Sequence, residues 1–190
     1  MFWGAGMADA ADAHSDPVVN LGVGATISNS CATNPITMGA ITGTGQSTIT
    51  AGNSTACTVI TNNSDGYKLE WAASAATMSN GSATIAAYTP AGATPETWSV
   101  DTAASEWGGH LGASSTTADT TTWGAADTYA AGGKWFNVAT GTAYEIIHRH
   151  NQTSSSGDSE VVFFGAEVGA SKFQPAGTYT VTVVMTATAL

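Results

Sequence analysis

Apolar and polar residues alternate along much of this chain with a period of two. Near the C-terminus, residues 178–187 place apolar side chains on one face and mainly threonines on the other. Near the N-terminus, a second run has small or polar residues between apolar ones at Val19, Leu21, Val23, Ala25 and Ile27. A period of two puts alternate side chains on opposite faces of a β-strand. We therefore predict a strand near each end of the chain.

Shorter β-branched and aromatic runs fill the middle of the sequence, and turn-forming segments separate them. Residues 62–66 and 154–158 are rich in Asn, Ser, Asp and Gly, which tolerate tight turns. About nine short strands need a sandwich or a barrel to cover their faces and edges. We predict an all-β, immunoglobulin-like antiparallel β-sandwich. It forms a single domain over residues 14–190, with an elaborated loop region near 108–133.

The first 13 residues have the features of a processed leader. A short apolar stretch is followed by overlapping Ala-x-Ala patterns at Ala8 to Ala10 and Ala11 to Ala13. This pattern is typical of signal-peptide cleavage sites. Because the stretch lacks a basic start and a full-length apolar core, we interpret 1–13 as a signal-peptide remnant. It predicts an extracellular or cell-surface protein whose mature chain does not insert into a membrane.

The charge balance limits the partners of the chain. Charged residues make up only 9% of the sequence, and 14 acidic residues against four basic ones give a net charge of −10. A chain of this charge is repelled by polyanions and has few cations with which to release their counterions. We therefore expect no binding to nucleic acid.

The two cysteines, Cys31 and Cys57, allow one intramolecular pairing. A disulfide between them closes a loop of about 26 residues, which stabilises the fold by roughly 3 kcal/mol on the chain-entropy model. Such a bond suits an oxidising compartment. We predict that this disulfide has a structural role.

The sequence offers little that is typical of catalysis. It contains no Gly-x-Ser-x-Gly nucleophile motif, and its six glutamates show no spacing that singles out a pair. His148 and His150 share one face of a predicted strand, which is a spacing that can hold a metal, but no further ligand follows a recognisable pattern. We predict no enzymatic activity, no cofactor and no metal site.

Aromatic residues provide an alternative functional interpretation. Trp107 and Trp123 lie in or beside the predicted loop region, where binding residues often occur. Indole rings can stack on sugar rings, so these two residues are candidates for glycan binding. Trp71 and Trp98 alternate with apolar or small neighbours and are predicted to lie in the core.

About a quarter of the chain, from Val18 to Tyr67, resembles a known family. Its order is an alternating segment, a cysteine, a short apolar run, a second cysteine and a turn, in residues 19–27, 29–31, 36–41, 56–59 and 62–69. This order resembles pilins of the spore-coat-U and archaic chaperone–usher type. Most of the chain also resembles secreted β-sandwich surface proteins of candidate-phylum bacteria, in residues 88–100, 105–108 and 166–181.

The pilin resemblance implies a structural role. In that family an N-terminal extension adds a missing strand to the neighbouring subunit, which is permanent β-augmentation. Residues 14–27 are then a candidate donor strand, and the partners are copies of the chain or other surface proteins. Residues 178–187, however, look able to complete the fold within their own subunit. The two hypotheses are a subunit of a filament, pilus or surface layer, and an adhesin or carbohydrate-binding module.

Overall fold

Two β-sheets pack on each other in the computed structural model, which describes residues 20–138 and 140–190. The described residues form ten strands, one short α-helix and one 3₁₀ turn at Ala51–Asn53. The strands and the helix, in chain order, are β1 Ile27–Cys31, β2 Gly45–Gln46, β3 Ser54–Thr61, β4 Tyr67–Ala73, β5 Thr77–Ser79, β6 Thr84–Ala87, β7 Ser105–Leu111, α1 Thr120–Trp123, β8 Tyr144–Arg149, β9 Asp158–Val168 and β10 Val183–Ala189.

The larger sheet has the strand order β1-β3-β9-β7-β6-β5, and β2 also pairs with β9. The smaller sheet has the order β10-β4-β8. The first and last strands, β1 and β10, are therefore edge strands of different sheets. They lie close to each other, since Asn29 of β1 donates from Nδ2 to the carbonyl of Met185 in β10 at 3.1 Å.

The main core lies between the two sheets, and its centre is Trp71 of β4. Alternate residues of β4 are buried, as its sequence pattern predicts. The Trp71 ring is fully buried and meets Trp123, Tyr144 and Phe164 at ring-centroid distances of 5.4, 6.4 and 6.4 Å. Its Nε1 donates to the carbonyl of Asn137 at 3.2 Å. The core is thus aromatic at its centre, with the indole N–H satisfied.

A second, smaller aromatic cluster contains the buried residues Tyr88, Trp98, Tyr129 and Trp135. Buried His110 lies beside it and fixes the irregular segment after β7 to the larger sheet. Its Nδ1 is 2.8 Å from the carbonyl oxygen of Lys134, and its Nε2 is 3.1 Å from Asp127 Oδ1. The irregular segment is therefore anchored to the sheet by packing and by hydrogen bonds.

The structure confirms the prediction of an all-β sandwich, with three differences in detail. The predicted loop near 108–133 begins later, because β7 extends to Leu111. The pairing is not wholly antiparallel, since β6 and β7 run parallel over two residue pairs. The predicted N-terminal strand begins only at Ile27, and residues 20–26 have no regular secondary structure. Residues 1–19, which include the predicted leader remnant and Val19, lie outside the described part.

The predicted disulfide between Cys31 and Cys57 is confirmed. The two cysteines face each other in the antiparallel pairing of β1 with β3. The disulfide therefore fixes the edge strand β1 to β3, its neighbour in the larger sheet. Over the described residues, no helix has the length and apolar character needed to span a membrane.

Candidate functional site

An open groove lies between the first and last strands of the fold, and we call it the edge groove. One wall comes from β1 and the residues that follow it, and the other from residues 179–185. Its volume is about 610 Å³. The lining residues are Asn29, Cys31, Thr33, Asn34, Pro35, Ile36, Met38, Thr55, Met78, Trp107, Phe164, Tyr179, Thr180, Val181, Thr182, Val183 and Met185. All of these residues are uncharged, and many are apolar.

The side chains along the groove are only partly covered. Val181, Val183 and Met185 pack against the main core but are half-buried, as are Ile36 and Met38 on the opposite wall. Fully covered apolar side chains are the norm for a sandwich core, because burying them supplies most of the stability. The edge groove is therefore a place where the core between the two sheets is incomplete.

The main chain along the groove also presents a strand edge. On one side of the final segment, the carbonyl of Thr182 accepts from the Ser74 N–H at 2.8 Å. Hydrogen-bonding direction alternates along an antiparallel strand, so Val181 and Val183 point their N–H and C=O groups to the other side. The Met185 carbonyl, which accepts from Asn29, points the same way. These groups are oriented to pair with an additional strand.

The segment that precedes β1, residues 20–26, exposes large apolar side chains. Leu21 is 87% exposed and Val23 is 77% exposed. No heavy atom outside the neighbouring residues lies within 4 Å of the position that a Cβ would occupy at Gly22 or Gly24. Exposed apolar residues are common singly, but here they alternate along one segment without polar interruption on their face. This segment has the surface of a strand that lacks a partner.

Asn62 fixes the direction in which this segment leaves the sheet. Its Oδ1 accepts from the Thr26 N–H at 2.7 Å, and its Nδ2 donates to the Gly24 carbonyl at 3.1 Å. Ile27 lies opposite Thr61 in the pairing of β1 with β3, so residues 24–26 continue in line with β1 past the end of β3. The edge groove extends from Asn29 in the opposite direction. The segment therefore leaves β1 at the end opposite to the edge groove.

The two tryptophans predicted to bind glycans are core residues. Trp107 lies on β7 and is 1% exposed, whereas Trp123 ends α1 and is 2% exposed. Rings that are only 1–2% exposed offer a sugar no face on which to stack, so the prediction is corrected on this point, although Trp107 is one of the residues that line the edge groove. The prediction was wrong because it placed both residues in or beside a loop. Residues 105–111, which include Trp107, form a strand, and the Trp123 ring packs on Trp71.

A buried polar cluster joins the two sheets on another side of the core. The Tyr67 hydroxyl lies 3.2 Å from Asp158 Oδ2 and 3.0 Å from Glu160 Oε1. Arg149 pairs with Asp158 at 2.9 Å, and the Thr117 hydroxyl donates to Glu160 at 3.0 Å. Burial, followed by the nearby charge of Asp158, raises the pKa of Glu160, although hydrogen bonds from Tyr67 and Thr117 oppose the shift. This arrangement stabilises the contact between the sheets.

The raised pKa of Glu160 predicts a pH dependence of stability. A carboxyl whose pKa is higher in the folded state favours folding when it is protonated, and this contribution is lost as the pH rises through the raised pKa. Glu160→Gln is therefore expected to reduce the loss of stability as the pH rises above the ordinary glutamate pKa of about 4.3. Urea unfolding of the variant and the native chain across this range measures the difference. Ser159→Ala, at the exposed neighbour of Glu160 on β9, changes no titratable group and is the control, which is expected to follow the native profile; an identical profile for Glu160→Gln would contradict this assignment.

His148, on β8, and His150, which follows β8, lie side by side. The rings of His148 and His150 are 4.5 Å apart, and His148 Nδ1 is 3.0 Å from Glu145 Oε1. Across residues 20–138 and 140–190, His, Cys, Asp and Glu form no group of three or more that could hold a metal ion.

No family model, curated protein or solved structure matches this chain. The edge groove and the segment before β1 are therefore the features on which a function can be argued.

Sequence reasoning identified the segment but missed the groove. The alternation in residues 179–187 predicted a strand that completes the fold within its own subunit. The structure shows that β10 pairs with β4 on one side only and lines the edge groove with its other side. A sequence with one buried face has the same pattern whether one or both edges of the strand are paired. The alternation therefore could not show that an edge was open.

Proposed function

We propose that this chain is a structural subunit of an extracellular filament, pilus or surface layer. Residues 19–25 of one copy, which we call the donor segment, insert into the edge groove of the next copy and add a strand beside residues 179–185, while Ile27 stays paired with Thr61 in its own sheet. The observation that supports this most directly is the match between an open, uncharged groove and an exposed alternating segment in the same chain. Addition of a strand to an exposed sheet edge is an established mode of recognition.

The lengths of the two features agree. Residues 179–185 form one wall of the groove and span roughly 20 Å at about 3.3 Å per residue. Residues 19–25, when extended, span the same distance and carry their apolar side chains on one face. The inserted strand can therefore cover the half-buried apolar residues of the groove along its length.

The direction of the segment favours a second copy over insertion into the same subunit. Asn62 holds Gly24 and Thr26 in line with β1, beyond the end of the sheet. Insertion into its own groove would require the chain to reverse direction immediately before Ile27, which would break these contacts. Each subunit thus has one donor segment and one acceptor groove that cannot meet within the subunit. Repeated head-to-tail contacts of this kind produce an open filament unless the rotation closes a ring.

The energetic terms are of the right size for a specific complex. Burying a Leu or Val side chain contributes about 1.5–3 kcal/mol, and the added strand also forms main-chain hydrogen bonds of about 0.5–1.5 kcal/mol each. Association costs on the order of 4–15 kcal/mol in lost freedom. Three or four buried side chains with several hydrogen bonds therefore offset that cost. Both the apolar face and the strand edge therefore contribute to the association.

The chemistry of the chain supports a location outside the cell. The Cys31–Cys57 disulfide closes the sheet edge beside the groove, and disulfides persist in oxidising compartments. The low proportion of charged residues leaves a surface of Thr, Ser, Asn and Gly. Export to the cell surface is part of the proposed function.

A synthetic peptide of residues 18–27 tests the proposal directly. Added in excess, it is expected to occupy the groove, block chain-to-chain insertion and shorten the assemblies in a dose-dependent way. Negative-stain electron microscopy and light scattering measure the length distribution. The control peptide carries Asp in place of Leu21 and Val23. Assemblies that are unaffected by the native peptide, or equally affected by both peptides, would contradict the proposal.

A further inference from the structure

The edge groove is crossed near one end by the side chain of Asn29. Asn29 lies on β1, and its Nδ2 donates to the Met185 carbonyl on the opposite wall at 3.1 Å. That carbonyl belongs to the open edge of the last strand, on the side where an inserted strand would pair. The amide therefore occupies the hydrogen-bonding position that such a strand would otherwise use at Met185.

Two buried polar atoms beside the groove have no partner among the described residues. They are Asn29 Oδ1 and Trp107 Nε1, and both residues line the groove. A buried donor or acceptor without a partner costs about 1–3 kcal/mol, and such atoms are rare in native structures. One of the atoms is an acceptor and the other a donor. A peptide main chain, which carries both N–H and C=O groups, can satisfy both.

The donor segment does not define its own register well. A slip of one residue would turn its apolar face outward, but a slip of two residues keeps an apolar side chain in each inward position. Val19, Leu21 and Val23 are similar in size and would replace one another after such a slip. Burial alone therefore distinguishes poorly between registers that differ by two residues.

We infer that Asn29 is the stop that sets the register of the inserted segment. This inference rests on the proposed function. Asn29 Nδ2 blocks pairing at Met185, and Asn29 Oδ1 accepts a main-chain N–H at the end of the segment that abuts it. Trp107 Nε1 donates to a carbonyl of the same segment. A single buried polar residue fixes register in coiled coils in the same physical way, since each wrong alignment leaves it without a partner.

Photo-crosslinking reads the register. The probe is the peptide of residues 18–27 with a diazirine analogue of leucine at position 21. The acceptor is the full chain carrying Leu21→Asp and Val23→Asp, so that its own segment does not compete. Mass spectrometry identifies the labelled residues in this acceptor, in the same acceptor with Asn29→Ala and in one with Asn29→Ser. Thr33→Ala, at another polar residue that lines the groove, is the matched control.

With Asn29 present, label is expected at one position or at two adjacent residues. In the Asn29→Ala and Asn29→Ser chains, it is expected to spread over groove positions two residues apart, and the peptide is expected to bind several-fold more weakly. The Thr33→Ala chain is expected to keep the single position. Undiminished binding with one unchanged labelled position in both Asn29 variants would overturn the inference and leave the proposed insertion intact. Failure of the peptide to label any of these folded chains would overturn the insertion itself.

Discussion

Replacing Leu21 and Val23 together with aspartate is expected to leave the chain folded and to prevent its assembly. Both side chains are largely exposed in the subunit, so the change removes little native packing. In the assembly they would be buried in a groove lined by uncharged residues. An aspartate there loses its hydration without gaining a cationic partner. The double substitution is therefore expected to leave the stability of the folded subunit nearly unchanged and to destabilise the assembly.

The size of this effect follows from the burial lost. Two aliphatic side chains account for about 3–6 kcal/mol, and 1.4 kcal/mol corresponds to a tenfold change in affinity. Association should weaken by at least a hundredfold before any cost of burying charge is added. Size-exclusion chromatography with light scattering measures the loss, and circular dichroism measures the fold.

A matched control places the same charges on the other face of the segment. Asn20→Asp with Gly22→Asp adds two carboxylates at neighbouring positions, and Gly22 has open space around it. In the inserted strand this face points to solvent, so assembly is expected to persist. If both double variants lose assembly to the same extent, the cause is added charge and not the loss of apolar contacts, which would contradict the proposed orientation of the segment.

Trp71→Ala is expected to produce the largest loss of stability of any single substitution considered. The Trp71 ring is fully buried at the centre of the main core and contacts three other aromatic rings. Truncation of a buried Trp to Ala typically costs about 3–5 kcal/mol, because packing is lost and a cavity remains. Native domains are stable by only about 5–15 kcal/mol, so the variant should be close to unfolding.

Chemical denaturation of the non-assembling Leu21→Asp and Val23→Asp chain measures this loss without interference from assembly. Phe173→Ala is the control, since Phe173 is an aromatic residue with 90% of its side chain exposed. Its free energy of unfolding is expected to change by less than about 0.5 kcal/mol. A Trp71→Ala chain as stable as the Phe173→Ala chain would show that the core is not organised around Trp71.

The elements with one buried face could be predicted from the sequence. In β3, β4 and β9, alternate residues are buried, and their runs of β-branched and aromatic residues are long enough to be recognised. The cysteine pairing was predictable because the chain has only two cysteines. These predictions depend on local periodicity or on simple counting, and both are properties of the sequence itself.

Features that depend on distant contacts could not be predicted. The region 36–41 is apolar, and its sequence is compatible with a strand. In the structure these residues form no strand and pack beside the groove instead. Trp107 and Trp123 lie next to glycine-rich and threonine-rich segments that resemble loops, although both rings pack in the core. In each case the tertiary environment decides the outcome, and local composition contains no information about it.

The same limit applies to the N-terminal segment. Its alternation predicted a strand from residue 19 to residue 27, but the chain is paired only from Ile27 onward. Alternation shows that one face of a segment should be buried, and it does not show against which partner. The exposed Leu21 and Val23, together with the open groove at the other end of β1, explain the pattern if the partner is another copy of the chain.

A complementation experiment tests the central claim most directly. One variant carries Leu21→Asp and Val23→Asp and has an intact groove. The other carries Val181→Asp, which places a carboxylate in the groove wall and leaves the donor segment intact. Circular dichroism first establishes that both chains are folded, and light scattering then measures their mass alone and mixed in equal amounts. The account predicts that each variant alone is monomeric and that the mixture forms one-to-one dimers and nothing longer. A mixture that stays monomeric, or either folded variant assembling alone, would contradict the insertion of residues 19–25 into the edge groove of a second copy.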